Sequence, residues 1–144
     1  MLLRSLLAMF IILQGGCAGT TEDNVPEQTL YHQLGGMPGI DRIVAGLLWE
    51  IAEDSRILPL FTKTNITRFQ EKLAEQLCDI ADGPCTYTGD TMKEAHRRLA
   101  VTPAQFNNLV DGLIRVMERE GISVGAQNAL LQRLALMHGD IVFS

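Results

Sequence analysis

The segment Tyr87-Thr88-Gly89-Asp90-Thr91-Met92-Lys93-Glu94-Ala95-His96 places one imidazole on a short helical turn behind a loop that contains glycine. A helix through His96 would put Met92 and Leu99 on the side of the imidazole, because residues three and four apart are neighbours on a helix surface. Neutral imidazole is the commonest metal ligand among side chains. The segment therefore allows two interpretations, a ligand histidine and an ordinary partly buried one, and other parts of the chain have to decide between them.

The composition is that of a folded globular chain. Its 144 residues are 47% hydrophobic and carry a formal net charge of −5, which suits one domain with a packed core. No basic stretch is interleaved with aromatic residues, so we expect no nucleic-acid partner.

The N-terminal residues are typical of an export signal. Arg4 precedes an apolar run over residues 6–13, which is too short to span a bilayer. The following Gln14-Gly15-Gly16-Cys17 resembles a bacterial lipoprotein processing site, in which Cys17 becomes the acylated N-terminus, although Gln14 stands where an aliphatic residue is usual. Cleavage after Ala18 and an uncleaved membrane anchor are the alternatives.

We accordingly divide the chain into a signal segment with a lipid-attachment site (1–17), a small polar tether (18–28) and a domain (29–144). We expect an exported bacterial protein, either periplasmic or anchored through lipid on Cys17. With Ala18 rather than an acidic residue after the cysteine, the lipoprotein interpretation implies sorting to an outer membrane.

Apolar residues recur at helical spacing through the rest of the chain, and no stretch has the pattern of a strand. Asn65, Thr102 with Pro103, and Ser123 are helix-starting signals, the last opening one final helix. The pattern predicts an all-α domain in two layers. The apolar stripes span residues 40–51, 66–80, 106–117 and 130–141.

Two polar side chains fall on the apolar side of the helix predicted over residues 66–80. At about 100° per residue, Gln76 lies only about 20° from Phe69, and Lys72 lies about 60° to the same side. One interpretation is that both border a cavity. The other is that Gln76 sits at the rim of the stripe and Lys72 extends its amine to water.

Cys78 and Cys85 are separated by six residues. In an oxidising compartment they could form a local disulfide, which would stabilise the fold by about 2.5 kcal/mol on the chain-entropy estimate; two free thiols are the alternative. Neither paired CxxC motifs nor a cluster of histidine and cysteine is present, so we expect no zinc site.

From residue 30 to about residue 141 the sequence resembles a group I truncated haemoglobin, a short globin in which two helices pack over two. Several motifs carry the resemblance in one order over more than a hundred residues. They are Leu30-Tyr31 before Gly35-Gly36, Leu60-Phe61, Asn65, Arg68, Asp82-Gly83-Pro84, Tyr87-Thr88-Gly89, Met92-Lys93 and His96.

The resemblance implies haem b, with His96 as the proximal iron ligand. Phe61 would stack on the porphyrin at the corner, and Phe69 and Lys72 would also contact the cofactor. Arg68 and Lys93 would pair with the propionates, or else be solvated surface charges. The apolar walls would be Leu73, Met92, Val101 and Phe106.

The distal side departs from the family pattern. Leu48 aligns with a position where relatives that bind oxygen tightly carry a tyrosine, and Phe69 and Leu73 occupy positions where glutamine is common. Losing a hydrogen bond of about 1.5 to 3 kcal/mol would make oxygen leave roughly tenfold to a hundredfold faster. Gln76 is a candidate replacement donor, and Lys72 a candidate sixth iron ligand.

The resemblance implies a monomer that binds O2, NO or CO, as in oxygen binding or transport. One alternative is an enzyme, either an NO dioxygenase or one that reduces NO or peroxide, which would need an external reductant because no flavin or nicotinamide motif is present. Others are a redox or gas sensor in which Lys72 is the sixth ligand of the iron, and a helical interaction module without a cofactor. The fold alone does not choose among them.

Overall fold

A computed structural model describes residues 28–142 of the protein. The segments predicted as signal and tether, with Cys17, lie outside these residues apart from residue 28, and their roles stay predictions. The helices in chain order are α1 (Leu30–Gln33), α2 (Gly36–Glu53), α3 (Ile66–Ile80), α4 (Met92–His96), α5 (Pro103–Arg119), α6 (Val124–Ala135) and α7 (His138–Ile141), with a 3-10 turn at Leu58–Phe61 between α2 and α3.

The all-α prediction is confirmed. Between residues 28 and 142 the only β-type pairing is an isolated parallel bridge between Val101 and Val142. None of the helices in this part of the chain is long and apolar enough to cross a lipid bilayer.

Helix α2 is the centre of the core because it packs against both α3 and α5. Five residues of its predicted apolar stripe are buried almost completely: Ile40, Ile43, Val44, Leu47 and Ile51. Burial of side chains of this size contributes about 1.5 to 3 kcal/mol each, so this stripe holds α2 in the centre of the core.

The helix starts follow the capping residues in the sequence. The Asn65 side chain accepts a hydrogen bond from the backbone amide of Arg68 at 3.1 Å, at the start of α3. Thr102 and Gln105 form a reciprocal capping box at the start of α5, and Ser123 caps α6. Each such cap satisfies an amide that has no partner within its own helix.

The prediction of one continuous final helix is wrong. Helix α6 ends at Ala135, and α7 begins at His138 after a break at Leu136 and Met137. After the break, α7 packs against the short helix α4. A tertiary contact therefore overrides the helical periodicity of the sequence here.

Helices α2 and α5 approach each other closely at Gly46. A β-carbon at this position would lie 2.7 Å from Cγ1 of Val116, and Val116 is itself buried in the core. Gly46 thus sets the distance between the two helices.

We expect Gly46→Ala to destabilise the fold by about 1 to 2 kcal/mol. Overpacking typically costs about 1 to 3 kcal/mol, and the higher helix propensity of alanine returns at most about 1 kcal/mol. Gly125→Ala is the matched control, since no atom lies within 4 Å of a β-carbon there. Urea unfolding measures both variants, and equal stability for the two would contradict the close approach.

Candidate functional site

A cavity of about 370 Å³ opens between the helices, and most of the residues around it are apolar. Its wall is built from α2, the 3-10 turn, α3, the segment before α4, α4 itself, α5 and the C-terminal residues. One histidine, His96, is among the lining residues. A cavity with this composition suits a large, mostly apolar ligand held by a few polar groups.

Helix α4 has only five residues, and its start is fixed by a capping box. The Thr91 side chain accepts from the Glu94 amide, and the Glu94 carboxylate accepts from the backbone and hydroxyl of Thr91. This local network begins the helical turn that carries His96 at its last position. Residues Thr91 and Glu94 therefore position the imidazole although neither lines the cavity.

The His96 ring is held by its own helix. Nδ1 lies 2.7 Å from the carbonyl oxygen of Met92, and a carbonyl can only accept a hydrogen bond, so Nδ1 carries the hydrogen. In the neutral ring Nε2 then keeps its lone pair, which is the state that binds a metal. His96 is partly buried and lines the cavity.

Gln76 links three parts of the cavity wall. The side chain is 8% exposed, and Nε2 lies 3.2 Å from the sulfur of Met92 and 3.4 Å from that of Met137. Because thioether sulfur is a weak acceptor, these contacts hold the amide loosely. They connect α3 to the helix of His96 and to the C-terminal residues.

The corner of the cavity is aromatic. Phe61, at the end of the 3-10 turn, and Phe69, on α3, meet edge to face with ring centroids 5.3 Å apart. Such pairs contribute about 0.5 to 1.5 kcal/mol beyond the burial of their area. The two rings line the cavity and hold its shape where the chain turns.

Lys72 belongs to a polar network at the cavity wall. Its Nζ donates to both carboxylate oxygens of Glu75, at 2.8 and 2.9 Å, and to the Thr88 hydroxyl at 2.7 Å. Thr88 donates in turn to Glu75 from its hydroxyl and its backbone amide. The Lys72 ammonium first, and then Thr88, hold the pKa of the Glu75 carboxyl below its usual value.

Tyr87 and Asp90 also line the cavity. The Tyr87 hydroxyl donates to the backbone carbonyl of Asp90 at 2.8 Å. Burial and then the Asp90 carboxylate raise the pKa of the tyrosine, so its hydroxyl stays protonated at neutral pH.

The cavity brings together most of the residues predicted from the sequence. Lys93 is not among the lining residues and is exposed on α4, whereas Arg68 is exposed but borders the cavity. The predicted residues that line the cavity are Phe61, Arg68, Phe69, Lys72, Leu73, Gln76, Met92, His96, Val101 and Phe106.

The expectation for Leu48 has to be corrected. Leu47 lines the cavity and is 4% exposed, whereas Leu48 is only partly buried and is absent from the lining. Adjacent residues on a helix point about 100° apart, so a shift of one residue turns a side chain from the cavity to another face. Both leucines lie on the broad apolar stripe of α2, and the sequence pattern does not separate them.

Sequence reasoning also missed part of the wall. The sequence pattern gives Met137 no role beyond the apolar stripe of residues 130–141, and it gives Tyr87 and Asp90 no place in the cavity wall. All three line the cavity. Their positions depend on the break after α6 and on the course of the segment before α4, neither of which has a signal in the helical period.

Comparison with known proteins gives the family. The sequence matches the family described as "Bacterial-like globin" over residues 29–143. The chain belongs to this family. The globin is 32% identical to the group 1 truncated haemoglobin of Nostoc commune over 114 residues, which cover 79% of this chain and 97% of that protein.

Solved structures support the same fold. The truncated haemoglobin of Tetrahymena pyriformis in its Fe(III) form matches with a TM-score of 0.78 at 21% identity, covering 81% of this chain and all of that one. The 2/2 haemoglobin of Synechococcus sp. PCC 7002, described with covalently attached haem, matches with a TM-score of 0.75 at 18% identity, covering 80% and 98%. The predicted two-over-two globin fold is confirmed.

The residues around the cavity fit the haem b of this globin family. One imidazole with a free ring nitrogen faces apolar and aromatic walls, and Arg68 at the edge can pair with a propionate. Within residues 28–142 no group of three or more His, Cys, Asp or Glu side chains could hold a bare metal ion. A single histidine donor therefore suits iron that a porphyrin already coordinates.

We expect His96 in the haem-free protein to be the Nδ1–H tautomer whenever its ring is neutral, because the Met92 carbonyl can only accept. Two-dimensional ¹H–¹⁵N NMR of the ring nitrogens distinguishes the two tautomers. His138 is the control, since it is exposed and its ring packs edge to face on Phe106. An Nε2–H signal for His96 would contradict this orientation of the ring.

Proposed function

We propose that His96 is the proximal ligand of haem iron and that this globin binds a diatomic gas, O2, NO or CO, on the opposite side of the haem. The observation that carries the proposal is the 2.7 Å contact between His96 Nδ1 and the Met92 carbonyl, which leaves Nε2 for the metal in an apolar cavity. Membership of the bacterial-like globins supports the general function of gas binding at haem.

The bound haem supplies an iron atom that accepts the gas as a ligand. The chain provides the surroundings. Apolar side chains such as Leu73, Val101 and Phe106 line the cavity and would keep water from the haem, and the paired rings of Phe61 and Phe69 would give the porphyrin a rigid aromatic edge. Because Nδ1 donates to a carbonyl, the imidazole keeps one tautomer and one orientation.

The distal polarity supports weak retention of O2. Leu47, Phe69 and Leu73 offer no hydrogen-bond donor, and the two candidate donors, Gln76 and Lys72, already have partners. Gln76 contacts two methionine sulfurs, and Lys72 contacts Glu75 and Thr88. Without a donor worth about 1.5 to 3 kcal/mol, we expect O2 to leave about tenfold to a hundredfold faster than from a globin that has one. Binding of CO depends less on such a donor.

A second candidate function is a redox or gas sensor with six-coordinate iron, in which Lys72 is the sixth ligand. The observation that favours it is the position of Lys72, which lines the cavity with only 22% of its side chain exposed. Its amine would have to leave both Glu75 and Thr88. An NO dioxygenase or a peroxide- or NO-reducing enzyme would need an external reductant, and it stays a prediction that no contact among residues 28–142 favours.

We expect His96→Ala to lower the affinity for haemin by at least about tenfold, because removing even a group that only orients a metal ligand typically costs about 10- to 100-fold. Added imidazole should restore the absorption spectra of the ferric, ferrous and CO-bound forms. His32→Ala is the matched control, because His32 is exposed and does not line the cavity. Unchanged axial ligation in His96→Ala would remove the proposal, as would a wild-type protein that stays colourless with haemin.

A second pair of variants tests the distal position. Leu47→Gln would place an amide donor in the cavity, so we expect O2 to dissociate about tenfold more slowly with little change in CO association. Leu48→Gln should leave both rates unchanged, because Leu48 does not line the cavity. Flash photolysis and stopped-flow mixing measure the rates. If only Leu48→Gln slowed O2 release, Leu48 rather than Leu47 would be the residue beside the bound gas.

A further inference from the structure

The segment that joins α3 to α4, residues 81–91, runs back along α3. Cys85 is bonded to Cys78, and Thr88 is bound to Glu75. A step of three residues forward along the segment thus matches a step of three residues back along the helix. We call residues 81–91 the strap, because two separate fastenings hold this segment antiparallel to α3.

The first fastening is covalent. Cys78 and Cys85 form a disulfide, with Cys78 completely buried and Cys85 partly exposed. The turn before it is tight at Gly83, where a β-carbon would lie 2.7 Å from the sulfur of Cys78. The disulfide therefore keeps the start of the strap against the end of α3.

The second fastening is polar. Glu75 accepts from the Thr88 hydroxyl at 2.8 Å and from the Thr88 amide at 3.2 Å, and Lys72 donates to both residues. A partly exposed ion pair is worth little by itself. Lys72, Glu75 and Thr88 meet only while the strap keeps its register on α3. The disulfide at Cys85, three residues before Thr88, fixes that register.

The strap borders the haem cavity. Tyr87 lies between Cys85 and Thr88, the two residues through which the strap is held to α3. Together with Asp90 it lines the cavity. Lys72 lines the cavity from the α3 side. Moving the strap away from α3 would separate Tyr87 from Lys72 and widen the cavity between them.

We propose that the strap is a redox-controlled closure of the haem cavity, with the Cys78–Cys85 disulfide as its switch. Its effect on haem rests on the function proposed above, while its hold on α3 does not. A dithiol reductant opens it by attacking the sulfur of Cys85, the more exposed residue of the pair. The S–S bond breaks, two electrons and two protons pass to Cys78 and Cys85 as thiols, and the dithiol becomes a disulfide.

Reduction releases the loop closure that the disulfide imposes, so the strap regains chain entropy. The Glu75, Lys72 and Thr88 fastening is then the only one of the two that remains. We expect the reduced strap to leave α3 often enough to speed both amide exchange at Thr88 and the passage of haem, each by about tenfold.

The first arm of the test uses the haem-free protein. Hydrogen exchange of the strap amides, followed by NMR or mass spectrometry, is compared for the oxidised protein, the dithiol-treated protein, Cys78→Ser/Cys85→Ser and Glu75→Gln. Faster exchange is expected in the last three. Glu71→Gln is the matched control, because Glu71 is exposed one turn earlier on the same helix. Dithiol should have no further effect on the double serine variant.

The second arm measures haem transfer from the loaded protein to an excess of apomyoglobin. Faster haem transfer after dithiol treatment supports the closure, provided that the Glu71→Gln substitution by itself leaves the transfer rate unchanged. Equal strap exchange in the oxidised and reduced proteins would overturn the proposal, as would faster exchange with unchanged haem transfer. A protein that takes up no haem would instead refute the proposed function, and the exchange arm would still decide whether the disulfide holds the strap.

Discussion

The hydrogen bond between His96 Nδ1 and the Met92 carbonyl is the contact on which the site depends. It exists only if residues 92 to 96 complete a helical turn, and a five-residue helix has no stability of its own in water. The turn therefore needs contacts in addition to its own backbone hydrogen bonds. The Thr91 and Glu94 capping box starts it, Gln76 contacts the Met92 sulfur from α3, and α7 packs against it.

The polar side chains in the cavity wall also depend on contacts with other parts of the chain. Water does not hydrogen-bond to polar groups that face an apolar cavity, so these groups need partners within the protein. Lys72 is matched by Glu75 and Thr88, and the Tyr87 hydroxyl by a backbone carbonyl. These pairings remove donors from the distal space. The pairings that satisfy these polar groups are thus also the basis of the weak hydrogen bonding to a gas ligand that we propose.

Much of the fold was predictable because it follows from local rules. The stripe of α2 and the caps at Asn65 and Thr102 are each decided within a few residues of sequence. The ligand role of His96 is indicated only by the family resemblance over the whole domain. The choice between Leu47 and Leu48 was not predictable, because both belong to one broad apolar face and only the packing of α3 and α5 on α2 fixes its rotation. The break after α6 and the course of residues 81–91 likewise depend on contacts between distant parts of the chain.

The position of the disulfide connects stability to the site. Cys85 lies seven residues before Met92, so fixing it to α3 shortens the free chain that leads into the helix of His96. Loop-closure entropy rises with the length of that free chain, and a shorter one lowers the cost of forming the turn at residues 92 to 96. A covalent link that does not touch the imidazole therefore helps to hold it in place. It does so by restricting the segment that also borders the cavity. In the closure that we propose, the order of the turn at residues 92 to 96 and access to the cavity would therefore vary together.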